Sequence, residues 1–485
     1  MSDKICDSSM PSWLRYWVIV CVLGVFGPYI VSGARTEQLV IYGSAAAVVV
    51  TQLPRLFQIL RPALLVLGLW AAYAVVVVGG GLIIDNHMPW PSGSLVAGVD
   101  NALLPLASIV VFTFWTSLAG SESVLRLVSW VVAWAMGANA VLAIVTTYLG
   151  LDAVPGIGRF WGAGGFDSSV AVLAEQMGRF SGVFNQPAEA GVAYSLAALG
   201  ILFLARVEPQ APRPVLWVLL ALVVIGGLLT LSKVFVVGGL VLALITAITD
   251  RRNRRQSVPV GILAVGVAAG LGMANLAGSW GASIMLNWYR VSIQAGDSFP
   301  YTLSAGRFGT PGDNGAAPSI TPSAPVDTGG SGTDGAGGPT TEPEVPLPTG
   351  LSDVAHQILD NQPVFGVGAR GLQVAYDSTW TEAMIVGGVV GLVLMLLVYV
   401  VLVARWVSNR RIVPRSTSLF AGAVVLLTVG ASFGMPALTG NRESTLLWMF
   451  LVPLVVAYRP APGAPEPAAG YVAAGHGRWS EQPGA

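Results

Sequence analysis

The sequence predicts an all-α polytopic membrane protein with about twelve transmembrane helices and one large hydrophilic loop. Of its 485 residues, 54% are hydrophobic and 10% are charged, which departs from the averages of soluble proteins. Apolar runs of roughly 16 to 25 residues recur along the chain, each able to cover most of a ~30 Å hydrocarbon core. A polar stretch over 278–379 interrupts these runs and separates nine predicted spans from three.

Each candidate span begins where a polar or proline-containing segment gives way to an apolar run. The starts lie near Trp13, Gln38, Pro62, Asn101, Ser123, Pro187, Pro214, Lys233, Val258, Trp380, Ser416 and Ser444. The run over 38–53 is short for a span. The two runs that flank Leu231-Ser232-Lys233 admit a second interpretation, as one long re-entrant element.

Basic residues are distributed unequally between the predicted loops, although the net charge of the chain is zero. When the loops are assigned alternately to two membrane faces, 17 of the 25 Lys and Arg residues share a face with both termini. The other face keeps Arg35, Arg159, Arg179, Lys233, Arg290, Arg307, Arg370 and Arg442. Because cytoplasmic loops attract positive charge, this pattern predicts both termini inside and the large loop outside.

These spans and loops divide the chain into four parts. Residues 1–277 hold spans 1 to 9, 278–379 form the large extracytoplasmic loop, 380–459 hold spans 10 to 12, and 460–485 are a disordered cytoplasmic tail. Within the loop, 308–350 is rich in Gly, Pro, Ser and Thr and nearly empty of bulky apolar side chains, which predicts a disordered insertion. The remainder of the loop is expected to fold as one unit, with a helix over 351–359.

The cysteines, the N-terminus and one basic run exclude several classes of protein. Cys6 and Cys21 fall in the predicted cytoplasmic tail and the first span, so the outer loop has no disulfide framework. No zinc-ligand spacing occurs, and no cofactor is predicted. The N-terminus lacks the pattern of a cleavable signal, so the first run is expected to be a retained span. The basic run at 251–255 predicts contact with anionic membrane lipids, and nucleic-acid binding is not predicted.

Short polar motifs lie at the predicted outer ends of the spans. In chain order they are Gly178-Arg179-Phe180-Ser181-Gly182-Val183-Phe184-Asn185-Gln186-Pro187, Leu229-Thr230-Leu231-Ser232-Lys233, Ser304-Ala305-Gly306-Arg307, Pro363-Val364-Phe365-Gly366-Val367-Gly368, and Gly387-Gly388-Val389-Val390-Gly391. Each motif alone is weak. The ordered set is more specific than any of its members.

In this order and spacing the motifs resemble those of the O-antigen ligase and polymerase family of bacterial membrane glycosyltransferases. That family carries R-x-x-G-x-F-x-N-P, L-T-x-S-R, S-x-G-R, P-x-x-G-x-G, and H-N-x-x-L followed by E-x-G-x-x-G. The resemblance implies a GT-C-like architecture and transfer of glycan from a polyprenyl-diphosphate-linked donor to a hydroxyl of a glycan or lipid acceptor. It places the reaction on the outer face of the bacterial cytoplasmic membrane. It also implies a chain-length regulator or a flippase as a partner.

The chain departs from the family pattern at three positions. Lys233 stands where the family usually has Arg, and the insertion separates Arg307 from the helix that it normally precedes. Asp377 stands where ligases carry a His proposed as catalytic. A ligase and a polymerase that uses another base, or none, therefore both stay open.

Cations are expected around the diphosphate leaving group. This group gathers negative charge as the glycosidic bond breaks, and Arg binds phosphate oxygens in pairs. The candidate cations are Arg179, Lys233, Arg370 and, as a catalytic residue, Arg307. Arginine would then replace a metal ion, although a magnesium held mainly by the substrate leaves little trace in a sequence.

The acceptor hydroxyl needs a base in line with the anomeric carbon. Asp377 is the first candidate, with Glu382 and His356 behind it. Asp377 followed by Ser-Thr is equally suited to an N-cap of the span that starts at Trp380. His356 is also suited to a surface position on an exposed helix.

The cations have structural interpretations as well. An arginine beside a span often pairs with a carboxylate, and Glu189 is a candidate buried partner for Arg179. Lys233 has little loop to expose it, and a cation at that depth favours a functional role.

Two other classes of protein stay open. A transporter or flippase for polysaccharide or lipid-linked oligosaccharide predicts charges in span centres and related halves. A non-catalytic scaffold would not need Arg179, Lys233 and Arg307 to converge.

Overall fold

The computed structural model describes residues 10–30, 34–83, 95–162, 170–171, 174, 179–208, 210–249, 257–276, 362–371, 378–439 and 442–459. The insertion over 308–350, the helix expected over 351–359, the tail over 460–485 and Cys6 lie outside these residues. Within them the chain is helical and forms no strand. A single bridge between Tyr29 and Arg35 closes the turn after the first helix.

Twelve long helices occur in the described residues. They are α1 (Ser12–Val25), α2 (Thr36–Gln52), α3 (Leu64–Ile83), α4 (Leu95–Ala119), α5 (Ser121–Leu149), α6 (Pro187–Val207), α7 (Arg213–Leu229), α8 (a π-helical turn Val234–Leu240 continued by Val241–Thr249), α9 (Ser257–Leu276), α10 (Thr379–Asn409), α11 (Arg415–Ala431) and α12 (Arg442–Leu451, continued by a π-helical turn Val452–Val456). Short helical turns Leu53–Arg55, Leu56–Leu60, Arg61–Ala63, Leu151–Ala153, Ile157–Phe160 and Gly368–Gly371 lie in the connections.

A described helix begins within six residues of each of the twelve predicted starts. Among the described residues, five helical stretches are long and apolar enough to cross a membrane: Thr36–Leu82, Leu95–Ala119, Ser121–Leu149, Pro187–Val207 and Thr379–Asn409. The chain is therefore an all-helical protein with the helices of a multi-pass membrane protein. The number of spans and their direction stay predictions.

The starts of several helices follow local rules. Pro187 and Pro214 stand in the first turns of α6 and α7, where a proline loses no hydrogen bond. The N-cap of α10 is Ser378, whose hydroxyl accepts a hydrogen bond from the backbone N–H of Thr381 at 3.1 Å. The capping role considered for Asp377 therefore belongs to the next residue, because the serine oxygen reaches that free donor.

Helices α6 and α12 form the centre of the bundle. All ten residues of α12 are buried, and 17 of the 21 residues of α6 are buried. Helix α6 packs against α5, α7, α8, α11 and α12. A Cβ atom at Gly191 would collide with the Ser232 hydroxyl, and one at Gly239 would collide with the Ser195 hydroxyl. Small residues thus allow α6 and α8 to approach closely, as in other membrane helix pairs.

Even-numbered helices begin, and odd-numbered helices end, at the same end of the bundle. There the N–H of Tyr29 donates to the carbonyl of Arg159 at 2.9 Å, and the N–H of Phe180 donates to the carbonyl of Leu229 at 3.1 Å. The described members of the smaller set of cations lie here: Arg35, Arg159, Arg179, Lys233, Arg370 and Arg442. We call this end of the bundle the charged end.

The opposite end holds arginines of the larger set. Arg405 donates to the carbonyls of Pro62 and Val456, at 2.8 and 2.9 Å. The N–H of Ser121 donates to the carbonyl of Arg459 at 2.9 Å. The two sets of basic residues therefore lie at opposite ends of the bundle. The cytoplasmic location of the end with the larger set of basic residues stays a prediction.

Candidate functional site

The side chain of Arg179 contacts the break between α7 and α8, which Lys233 ends. The Nε atom of Arg179 donates to the carbonyl of Thr230 at 3.5 Å, three residues before Lys233. Both basic side chains are half-buried. Two cations that are 54 positions apart in the sequence thus lie on one helix break.

The backbone of the Leu229–Lys233 motif turns sharply. Leu231 has a φ of 49°, a value that a branched aliphatic residue rarely adopts. The Thr230 hydroxyl donates to the carbonyl of Gly227 at 2.6 Å and accepts from the N–H of Ser232 at 3.2 Å. These bonds satisfy backbone groups that the end of α7 leaves free. The motif therefore forms a chain reversal that brings Lys233 to the start of α8. Whether the two helices are separate spans or one re-entrant element stays a prediction.

The Pro363–Gly368 motif fills a break in α10. At Gly388 the backbone has φ 59° and ψ −155°, which interrupts the helix. The N–H groups of Val389 and Val390 donate to the carbonyls of Pro363 and Val364, at 2.9 and 3.1 Å. The motif thus accepts hydrogen bonds from two backbone N–H groups that lose their helical partners at the break. Within a bilayer such groups must be bonded by the protein itself.

Glycine is needed in this motif for two reasons. Gly366 and Gly368 have φ values of 64° and 69°, in the left-handed region. A Cβ atom at Gly366 would collide with the carbonyl of Ile385, and one at Gly368 would collide with the backbone of Gly81. The segment is therefore held between the end of α3 and the broken helix α10.

Arg370 lies on the short turn that follows this motif. The backbone of Gly368–Gly371 is buried, whereas the side chain of Arg370 is exposed. Ala369 packs so closely on α4 that a Cβ atom at Gly98 would collide with its carbonyl. The packed turn thus presents one exposed cation at the charged end.

Glu382 is enclosed in the first turn of α10. Its side chain is 2% exposed and lies beside Thr439, with Tyr73 within electrostatic reach. A substrate would therefore meet this carboxylate only after the surrounding helices had moved.

A set of ionisable side chains, all buried except the half-buried Asp100, lies together at the charged end and was not predicted from the sequence. We call it the buried ion cluster, and its members are Arg35, Glu37, Asp100, Glu189, Arg442 and Glu443. Arg35 contacts Glu37 at 3.2 Å and Asp100 at 3.0 Å. A signal was present in the sequence, because Arg35-Thr36-Glu37 and Arg442-Glu443 each directly precede or open an apolar run.

Asp100 is the best-solvated member of the cluster. Beside Arg35, it accepts hydrogen bonds from the Gln38 amide at 2.6 Å and the Tyr42 hydroxyl at 2.8 Å. Asp100 thereby joins α4 to the start of α2.

Arg442 connects three segments of the charged end. Its side chain is fully buried and donates to the carbonyls of Gly27, at 2.8 Å, and Val183. The guanidinium lies 5.6 Å from the centre of the Tyr29 ring. The Asn185 amide in turn donates to the Tyr29 hydroxyl. Arg442 therefore holds the loop that carries Arg179 and Asn185 against the end of α1.

Two groups of this region outside the helices have shifted pKa values. Burial raises the pKa of Tyr29, against the opposing effects of Arg35, Asn185 and Arg442. Burial alone would lower the pKa of Arg35, but Glu37 and Asp100 outweigh it and raise that pKa. Arg35 is therefore charged at every physiological pH.

Four of the seven predicted site residues are described, and all four lie at the charged end: Arg179, Lys233, Arg370 and Glu382. Arg307, Asp377 and His356 lie outside the described residues. The pairing of Glu189 with Arg179 stays a prediction. Among the described side chains, no three His, Cys, Asp or Glu residues are grouped so that they could hold a metal ion.

Comparison with known proteins does not assign the chain to a family. No protein-family model matches the chain, and no curated protein matches it.

Proposed function

We propose that this protein is a membrane glycosyltransferase, a polymerase or ligase of cell-surface polysaccharide. It would transfer glycan from a polyprenyl-diphosphate-linked donor to an acceptor hydroxyl at the outer face of the bacterial cytoplasmic membrane. The proposal rests first on the ordered motifs that resemble the O-antigen ligase and polymerase family.

The structural observation that supports this proposal best is the hydrogen bond from Arg179 to the helix break that leads to Lys233. The two residues come from different motifs, yet Arg179 bonds to the carbonyl of Thr230 within the Lys233 motif. Cations gathered at one end of the bundle suit a diphosphate, whose charge rises as the glycosidic bond breaks. Arg370 adds an exposed cation at the same end of the bundle.

The roles of the other residues follow from the resemblance. Arg307 would bind or activate the diphosphate, and Asp377 would accept the proton of the acceptor hydroxyl. Neither role requires a metal ligand from the protein. The large loop that carries both residues would bring them over the charged end.

Glycan length in a deletion strain tests the proposal. The strain is complemented with wild type, Arg179→Ala, Lys233→Ala, Arg307→Ala or Asp377→Asn, and each variant is first shown to reach the membrane. Single repeat units that only wild type extends would support a polymerase, and long unattached glycan would support a ligase. Arg126→Ala is the matched control, because Arg126 pairs with Glu122 at the opposite end of the bundle. Normal attached glycan in the deletion strain, with no redundant enzyme, would contradict the proposal.

A transporter or flippase of lipid-linked oligosaccharide is the second candidate. The observation that favours it is the break in α10, since transporters often bind substrate at interrupted helices. Purified protein in detergent separates the two functions. A transferase would lengthen or attach the glycan of an added lipid-linked donor without any membrane, whereas a flippase would leave the donor unchanged.

A further inference from the structure

Glu443 occupies an unusual position within the buried ion cluster. It is the second residue of α12, and its side chain is 1% exposed. Its Oε2 atom has no hydrogen-bond donor among the described residues. An ionised carboxylate here would have given up water at that oxygen without a replacement.

The charges that act on Glu443 are mainly negative. Glu189 of α6 has the strongest electrostatic effect on it, and Glu37 of α2 adds to this effect. A hydrogen bond from the backbone of Glu443 opposes them, and so does Arg35, although its guanidinium is already bound by Glu37 and Asp100. A negative charge on Glu443 would therefore meet like charges more strongly than opposite ones.

The adjacent Arg442 does not compensate Glu443. Its guanidinium turns to the carbonyls of Gly27 and Val183 and lies over the Tyr29 ring. The N-terminal dipole of α12 favours a carboxylate, but this effect is smaller than the cost of burying an ion.

We propose that Glu443 is a proton-binding site, a carboxylic acid that stays neutral in the folded protein at physiological pH. Its ligand is a single proton taken from water, held at the start of α12 where the charges of Glu189 on α6 and Glu37 on α2 act on it. A bound metal ion is less suited to this place, because the described carboxylates form no group of three that could hold one. This inference does not depend on the proposed function.

The bound proton has a mechanical consequence. Release of the proton would leave a carboxylate facing Glu189 and Glu37, and the start of α12 would be pushed from α6. Arg442, the neighbouring residue, would then loosen its hold on the loop at Val183. The proton thus keeps the loop that carries Arg179 in place.

Infrared spectroscopy of the full chain in lipid nanodiscs tests this proposal at neutral pH. The wild-type minus Glu443→Gln difference spectrum should contain the C=O stretch of a protonated carboxyl group, which moves in heavy water. Glutamine has the shape of the neutral acid, so the melting midpoint should stay at the wild-type value. Glu122→Gln is the control, since Glu122 forms a partly exposed ion pair with Arg126 at the opposite end.

Three outcomes would overturn the proposal. The difference spectrum could lack the acid band and show the bands of a carboxylate instead. Glu443→Gln could lower the melting midpoint with no acid band lost. Sodium ions could raise the midpoint of wild type and not of Glu443→Gln, which would make the site a metal-cation site.

A second variant, Glu189→Gln, tests the proposal if Glu443→Gln does not fold. Glu189→Gln removes the strongest facing negative charge and leaves Glu443 in place. The acid band should then disappear at lower pH than in wild type, with at least about a tenfold loss of proton affinity. A pH of disappearance equal to that of wild type would contradict the proposal.

Discussion

Single residues at the charged end both contribute charge and hold separate segments of the chain together. Arg442 shows this most clearly, because one buried guanidinium binds the end of α1, the loop before α6 and the ring of Tyr29. Its planar fork with several donors suits this role, whereas a lysine ammonium lacks that geometry. The residue thus stabilises the loop whose motif carries Arg179.

We expect Arg442→Lys to destabilise the folded protein by about 2–4 kcal/mol, since buried hydrogen bonds to a charged group are lost. The measurement is the thermal midpoint of the purified protein in detergent. Arg126→Ala is the control, because its partly exposed i,i+4 pair should contribute only ~0.3–0.5 kcal/mol. Equal effects of both changes would contradict the central role of Arg442.

Neighbouring glycines in α10 are expected to respond differently to substitution. Gly388 has a φ of 59°, and a Cβ atom there would approach the carbonyl oxygen of Val364 to 2.5 Å. At Gly387 the nearest atoms would lie 3.8 Å away, in ordinary contact. We expect Gly388→Ala to cost at least about 1–3 kcal/mol of stability and Gly387→Ala much less. Thermal midpoints of the two variants compare them directly, and equal midpoints would show that α10 is not broken at Gly388.

At the scale of elements, interruptions of helices organise the candidate site. The gap between α7 and α8, which leads to Lys233, accepts a hydrogen bond from Arg179, and the break in α10 receives the Pro363–Gly368 motif. Both interruptions lie at the charged end, where backbone groups freed from helices are bonded by neighbouring segments. The motifs of the sequence are therefore places where a helix stops and another segment completes its hydrogen bonds.

The close approach of α6 and α8 gives an element-scale prediction. A Cβ atom at Gly191 would lie against both side-chain atoms of Ser232. We expect Gly191→Ala to cost about 1–3 kcal/mol by overpacking. Adding Ser232→Gly should recover part of the loss, because it removes the colliding atoms. Thermal midpoints of both single variants and the double variant form the test, and strict additivity would exclude the contact.

At the scale of the whole molecule, charge is segregated along the bundle axis. The cations that the loops assign to the outer face lie at one end, and described arginines of the larger set lie at the other. A membrane with its cytoplasmic side on the arginine-rich end would satisfy the positive-inside rule. The charged end would then face outward with the candidate site.

Cysteine labelling tests this orientation. In a variant that lacks Cys6 and Cys21, Phe365→Cys introduces a thiol at the charged end, where Phe365 is 52% exposed. Ile412→Cys introduces one at the opposite end, where Ile412 is 65% exposed. We expect an impermeant maleimide to label the first in intact cells and the second only after permeabilisation. The reverse result would place the charged end in the cytoplasm.

The apolar runs of the sequence were enough to predict the helical class of this protein and the approximate start of each long helix. Length and composition of apolar runs suffice for this, because a helix is the local structure that satisfies its own backbone bonds in lipid. Charge in the loops likewise divided the basic residues into the two sets that lie at the two ends. The ordered motifs indicated Arg179 and Lys233, whereas the need for cations and a base near the outer ends of the spans indicated Arg370 and Glu382.

The tertiary structure alone decided which residues are neighbours. Asp100 and Arg35 stand 65 positions apart, and Arg442 and Gly27 stand 415 apart, so periodicity along the chain carries no information on their contact. Packing also decided burial: Glu382 and Glu443 were indistinguishable from surface acids by type, yet both are enclosed. Local rules act over a few residues, whereas the electrostatics of the candidate site arise from helices that meet only in the folded bundle.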